Sequence, residues 1–416
     1  MSRIAVIGAG ISGLSIAQLL REDNEVQVYE AESRPGGLVK CERVNGHLYH
    51  LVGGHVFNAK RKDVFDFFWS FFRESDFKKT DRNSVILMKD EFLIPYPIED
   101  HLYYFEEQLV NQIIKELLEI HGSGDQEFTN FDEFLRGRFG NTLYDIYFQP
   151  YNEKIWRKKL TNVPLAWLEG KLPMPTVREI ILNNIKHIEE KKFIHSSFYY
   201  PLYNGSQFLV DNLSLGLDIK YNVFVETIEK TQIGWKVNGV EYDKVIFCGN
   251  VKDLVNIIGG EIDALSNYKD SINEFESHGT TSVLCEIEDN PYSWIYMPNR
   301  AYLAHRIICT GNFAESNKGN GTMSATIEFT DYMAKEDILE NLKRISFAPK
   351  YLAHKYTEYT YPIQNIQSRT TIVNLKKILE PMGLFLLGRF AEWEYYNMDA
   401  AMGAAIDLKK NLTDNA

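Results

Sequence analysis

The sequence predicts a mixed α/β fold, and three observations carry the prediction. An apolar run, Ile4-Ala5-Val6-Ile7, leads straight into Gly8-Ala9-Gly10-Ile11-Ser12-Gly13, and an acid, Glu30, stands 22 residues beyond Gly8. Residues 101–190 are dominated by helical periodicity, with amphipathic stretches at Tyr104–Ile120 and Phe131–Phe148. Residues 278–330 instead alternate in the manner of strands (TTSVLCEI, SWIYM, AHRIIC, SATIEF). A parallel sheet covered by helices, with an inserted helical segment and an antiparallel sheet, accounts for all three.

The first element reads as strand, glycine turn, helix, second strand and acid, the order of a Rossmann-type dinucleotide-binding unit. Gly8 permits the tight turn, Gly10 lets backbone approach a pyrophosphate, and Gly13 lets helix lie close to strand. The helix start at Ile11 and Ser12 offers free N–H groups and a positive dipole end, and Glu30 accepts hydrogen bonds from the adenosine ribose. A second glycine turn, Arg34-Pro35-Gly36-Gly37, with Leu38 after it, follows the acid. A plain NAD domain has no need of it, whereas a longer, permanently bound cofactor does, so FAD is the expected cofactor.

Composition bounds the rest. A chain of 416 residues is expected to form two or three structural units, and 44% hydrophobic with 13% aromatic residues supplies large cores. A net charge of −12 argues against a nucleic-acid partner or a basic membrane patch. No segment approaches the ~18 apolar residues of a membrane span, and the first strand begins too early for a signal peptide. Cys41, Cys248, Cys285 and Cys309 are widely spaced, without a CxxC pair. A reduced, cytoplasmic protein with no disulfide framework and no metal site is expected.

Along the chain, the aromatics Phe65, Phe67, Phe68, Trp69, Phe71 and Phe72 crowd a helix that reads as core. Val85–Ile94 reads as a hairpin turning at Lys89-Asp90. From Phe198 short strands are expected at Val223–Thr227, Trp235–Val237 and Lys244–Phe247, the last ending at Cys248-Gly249 in the manner of a strand returning to the cofactor sheet. LFLLGR at 384–389 is a final strand, before a helix from about Met398 to Asn411. The expected organisation is a discontinuous FAD-binding domain (1–80, 198–265, 355–416), a mainly helical substrate or cap segment (81–197) and an antiparallel β substrate segment (266–354).

The pattern E-x-x-x-R-x-G-G at Glu30–Gly37 resembles the large FAD family that includes amine oxidases, protoporphyrinogen oxidases and UDP-galactopyranose mutases. Three further segments resemble the mutases in particular. Gly46–Phe57, with Gly53-Gly54-His55, is similar to their glycine–histidine loop, whose histidine lies against the isoalloxazine ring. Tyr151-Asn152-Glu153-Lys154-Ile155-Trp156 is similar to Y-T-x-K-x-W, which lines the nucleotide site. Tyr361-Pro362-Ile363 and Gly388-Arg389-Phe390-Ala391-Glu392-Trp393-Glu394-Tyr395-Tyr396-Asn397-Met398-Asp399 are similar to Y-P-I and G-R-L-A-E-Y-x-Y-x-D-M. Segment 291–313, with Ser293-Trp294-Ile295-Tyr296 and His305-Arg306, looks more like the protoporphyrinogen-oxidase-like relatives.

The resemblance implies roles. Gly53, Gly54, His55, Val225, Gly388, Arg389, Met398 and Asp399 would join the first glycine motifs around FAD. The last two would set a helix start near the flavin O2 edge, where charge collects on reduction. Tyr151, Trp156, Tyr203, Tyr361, Tyr395 and Asn397 would meet the substrate, and His55, Arg306 and Arg178 would serve the chemistry. Departures fall on the substrate side: Pro175 stands where the mutases have their first diphosphate arginine, with Lys171 and Arg178 nearby. Arg300 and Arg306 are candidates for the second, and Asn397 replaces the motif acid.

The function implied is a redox-neutral sugar-nucleotide mutase, interconverting pyranose and furanose rings through a flavin N5–sugar adduct with reduced FAD, in surface polysaccharide biosynthesis. The alternative is an FAD-dependent oxidoreductase removing a hydride from a small substrate. A nucleoside diphosphate sugar is the expected partner, and the protein is expected to be a monomer or homodimer.

Overall fold

The computed structural model describes residues 1–124, 127–165, 175–188, 196–259 and 263–414. Strand Arg3–Ile7 lies at the centre of a five-stranded parallel sheet, between Glu25–Tyr29 and Lys244–Phe247, with Asp218–Lys220 and Leu384–Leu386 at the edges. Its strands thus come from three distant parts of the chain. The uninterrupted apolar run of the first strand follows from burial on both faces. Ile4, Val6 and Val28 share a core with Ile16 and Ala17 of helix Ile11–Leu20 and Met402 and Ala405 of helix Met398–Asp414. Ala5, Ile7 and Val245 share another with Trp235, Ile372 and Leu375.

A seven-stranded sheet runs in the order Lys350–Pro362, Ser277–Glu286, Ser324–Thr330, Arg306–Ile308, Trp294–Tyr296, Ser84–Leu87, Leu93–Pro95. It is antiparallel except where Trp294–Tyr296 runs parallel to Ser84–Leu87. Alternation divides its faces. Val283, Cys285, Ile295, Ile307, Ala325 and Ile327 point to a core shared with Ile338 and Leu342 of helix Lys335–Leu342. The opposite face carries Ser282, Glu328, Arg306 and Tyr296 in one row across four adjacent strands. Helices Glu107–Gly122, Phe131–Leu143, Gln149–Trp156 and Val177–Lys186 pack on this side through a core that joins Ile113, Phe131, Trp156 and Ile180 to Trp294, Tyr296 and Ile308.

The hairpin at 84–95 forms as expected, and the aromatic helix Lys62–Phe71 is core, with Phe68 stacked on Phe57 at 3.6 Å between ring centroids. Two readings change. Val223–Thr227 is not a strand: Asn238 Oδ1 accepts from the N–H groups of Glu226 and Thr227, so these are lost to a ladder, and pairing starts at Ile228. The 13-residue strand Lys350–Pro362 has no counterpart among the expected elements; it crosses residue 355 and pairs with Ser277–Glu286.

Candidate active site

The glycine motifs meet as the sequence requires. A Cβ on Gly13 would lie 1.9 Å from Gly8 O, so only glycine allows helix Ile11–Leu20 to start where it does. A Cβ on Gly37 would lie 3.4 Å from Gly10 Cα, and Gly36 N donates to Ala9 O at 2.9 Å, so the two turns are held back to back. The helix start carries no side-chain cap, which leaves its N–H groups for a ligand. Glu30 is buried with each carboxylate oxygen accepting one backbone N–H, from Ala9 at 2.8 Å and Glu32 at 3.0 Å. Val223 N donates to Glu30 O and Val225 is buried beside this corner. Arg34 braces the second turn: its guanidinium donates to Cys41 O, Gln207 Oε1 and Glu42. These bare backbone surfaces and the fixed carboxylate fit an adenine dinucleotide.

The C-terminal motif closes on the same place. A Cβ on Gly388 would lie 2.7 Å from Ser12 Oγ, and Gly388 N donates to Glu392 Oε2 at 2.8 Å. Arg389 donates to Thr360 O at 2.9 Å and to Tyr396 O, and its guanidinium lies 4.8 Å from the Tyr395 ring centre. Met398 and Asp399 begin the last helix; burial raises the Asp399 carboxyl above its usual range.

From Arg389 a chain of contacts runs to the seven-stranded sheet. Tyr395 stacks on Tyr361 at 5.5 Å and 9°. Tyr361 Oη accepts from Arg306 Nη2 at 2.8 Å, and Arg306 Nε donates to Glu328 Oε2. Glu328 is wholly buried, and His305 Nε2 lies 3.6 Å from the same oxygen. Burial pushes the Glu328 carboxyl up, but Arg306 and His305 outweigh it and hold the group at about 2. Burial likewise opposes the Arg306 charge, and Glu328 holds it protonated. Glu328 has no place among the residues singled out from sequence. The signal was available in SATIEFT, where an acid occupies the inward phase of an otherwise apolar and hydroxyl-bearing strand.

His55 joins the two halves. Its Nε2 lies 3.0 Å from Leu38 O, the geometry of a ring N–H donating to a carbonyl, and Gly53 stands between this ring and Glu328. Burial, then the charge of Arg389, lowers the imidazole to about 4, so it is neutral at pH 7. On the other side, Tyr151 stacks on Tyr147 at 5.6 Å and meets the Tyr296 ring edge-on at 5.5 Å. Trp156 is buried at the end of the same helix.

Three other candidates are exposed: Arg178 on helix Val177–Lys186, Tyr203, 69% exposed, after strand Ser197–Pro201, and Asn397 between Tyr396 and the last helix. Arg300 pairs with Glu153 at 2.9 Å, so of the two arginines considered there only Arg306 enters the buried cluster. Lys171 lies outside the described residues.

Residues 6–71 match the NAD(P)-binding Rossmann-like domain family. The chain is 23% identical over 424 residues to dTDP-fucopyranose mutase of Escherichia coli, covering 98% of this chain and 97% of the relative. It is 22% identical to UDP-galactopyranose mutase of Mycoplasma genitalium, with 98% and 94% covered. Among solved structures, reduced UDP-galactopyranose mutase superimposes with a TM-score of 0.89 at 20% identity, covering 100% of this chain and 94% of that one. A proposed protoporphyrinogen oxidase from Exiguobacterium sp. 255-15 gives 0.76 at 15% identity, with 100% and 99% covered. No helix among the described residues is long and apolar enough to cross a membrane. The chain has the fold of UDP-galactopyranose mutase, built on a Rossmann-like dinucleotide domain.

Proposed function

We propose that this protein is an FAD-dependent, redox-neutral sugar-nucleotide mutase that interconverts the pyranose and furanose forms of a nucleoside diphosphate sugar. The observation that carries the reading is the continuous chain Arg306–Tyr361–Tyr395–Arg389, which connects a partly buried guanidinium on the sheet to the dinucleotide fold. Full-length likeness to two mutases of different sugar nucleotides supports it.

FAD would be held by the Gly8–Gly13 turn, Glu30, the Gly36-Gly37 turn, and the Gly388-Arg389 and Met398-Asp399 corner. When bound and reduced, it supplies the nucleophile for the anomeric carbon. The chain's own residues do the rest. Arg306, fixed through Nε and Nη2, presents Nη1 to the leaving diphosphate. Tyr361 and Tyr395 form an aromatic floor with polar tips, and Tyr151 with Trp156 walls the nucleotide base. Neutral His55 holds Leu38 O and the glycine loop in place and would add no charge to the cofactor site. Met398 and Asp399 open the last helix, whose N-terminal N–H groups and dipole would favour negative charge on the bound group.

The test is anaerobic: flavin-loaded protein reduced with dithionite is offered UDP-galactopyranose and dTDP-fucopyranose. Furanose product without stoichiometric loss of reducing equivalents is expected. Unchanged substrates, with flavin verified as bound and reduced, would overturn the assignment to these sugars, and consumption of an electron acceptor would favour the oxidoreductase alternative.

A further inference from the structure

Among the described residues Lys154 pairs with no acid. It is on helix Gln149–Trp156, between Tyr151 and Trp156, and its ammonium donates to three carbonyls of one loop: Met297 O at 2.7 Å, Asn299 O at 2.5 Å and Ala304 O at 3.0 Å. The Tyr302 ring centre lies 4.6 Å away. That loop is the tip of the hairpin between Trp294–Tyr296 and Arg306–Ile308, closed by Met297 N donating to His305 O at 2.9 Å. The neighbouring Glu153 takes the same loop by its side chain, through Arg300 Nη2 at 2.9 Å. Two consecutive residues of one helix therefore grip a hairpin tip whose following strand begins with Arg306.

We propose that Lys154 is a positioning residue: its three carbonyl bonds fix the aromatic wall of Tyr151 and Trp156 against the strand that carries Arg306, setting the span over which a nucleoside diphosphate is held. The inference rests on the mutase reading for its ligand, but its structural content stands on the latch. A compact ammonium suits this cage, because its three donors diverge tetrahedrally towards three acceptors, whereas a planar guanidinium cannot reach all three. The wall grips the nucleotide base, which takes no part in the reaction, while Arg306 keeps its own bonds to Glu328 and Tyr361, so loosening the wall weakens binding and leaves the chemical step intact.

The experiment uses full-length, flavin-loaded protein and the variants Lys154→Met and Lys154→Arg, with Lys154→Gln in reserve should the first not fold. Amide exchange of residues 297–304 is read together with kcat and KM on whichever of UDP-galactopyranose and dTDP-fucopyranose the wild type converts. Exchange in that loop is expected to rise about tenfold and KM about tenfold, with kcat within about twofold and flavin content unchanged; arginine does not rescue. Unaltered exchange at 297–304, or a fall in kcat at constant KM, overturns the proposal. Should the wild type convert neither sugar, raised exchange confined to 297–304 still supports the latch while the mutase reading fails.

Discussion

Arg306 and Glu328 occupy directly opposed positions on adjacent antiparallel strands and form an ion pair whose carboxylate is wholly buried and whose guanidinium is partly buried, with Tyr361 bonded to the other side of the guanidinium. Charge, register and burial all converge on this pair. An exposed pair of this kind would contribute little. Here Glu328 has no access to water, so each charge depends on the other.

Arg306→Lys keeps the charge but cannot span Glu328, Tyr361 and a diphosphate oxygen together. We expect kcat/KM to fall about 100-fold, equivalent to about 2.7 kcal/mol. Tyr361→Phe removes one hydrogen bond donated by the charged guanidinium and should cost about 1.5 kcal/mol, roughly tenfold. Arg306→Ala strands the Glu328 charge and should lower unfolding free energy by about 3–5 kcal/mol in urea melts. Equal stability of Arg306→Ala and wild type would show that the pair is not buried in solution.

The same pair gives a pH signature. Glu328 is held at about 2 against an ordinary 4.5. A depressed carboxyl contributes stability that is full above the unfolded value and is lost as pH falls through the folded one. Wild type should therefore lose on the order of 3 kcal/mol more than Glu328→Gln between pH 5 and 2, read from urea midpoints across that range. Parallel curves for the two proteins would rule the shift out.

What could be read from sequence is what local chemistry dictates. Gly8, Gly10, Gly13 and Glu30 are constrained within one turn–helix–strand unit, so their spacing announces the geometry. Glu328 and Arg306 are 22 residues apart and meet only through strand register, which no local pattern specifies. Lys350–Pro362 escaped notice because it is a sheet-edge strand, mostly half-exposed, so KYLAHKYTEYTYP lacks an apolar alternation. Lys154 stood inside a recognised motif, yet its carbonyl cage is supplied by a loop about 150 residues away and leaves no trace in composition. Arg178 and Tyr203 rest on the resemblance alone, and both are exposed in the fold.

Gly13→Ala tests the dinucleotide site by sterics alone. The added methyl would have to occupy space 1.9 Å from Gly8 O, and neither backbone can yield without shifting the helix start. Purified Gly13→Ala should carry less than about a tenth of the wild-type flavin, measured by absorbance after denaturation, and should melt several degrees lower. Full flavin occupancy in this variant would place the cofactor elsewhere.

His55 offers the most direct view of the junction between the two halves. Its ring is lowered to about 4 from an ordinary 6.5, by burial first and by the Arg389 guanidinium second. Between those values the unfolded chain binds the extra proton, so stability rises with pH across this window and is lost as pH falls towards 4. Ring resonances identified by comparison with His55→Gln should show no titration from pH 6 to 8. Arg389→Gln removes the repelling charge and should move the midpoint upward while leaving the burial contribution in place. The two causes are thereby separated: a midpoint unmoved in Arg389→Gln would assign the whole shift to burial. A wild-type midpoint near 6.5 would mean that water reaches the ring, and the glycine loop would then not be the dry wall that a neutral imidazole requires.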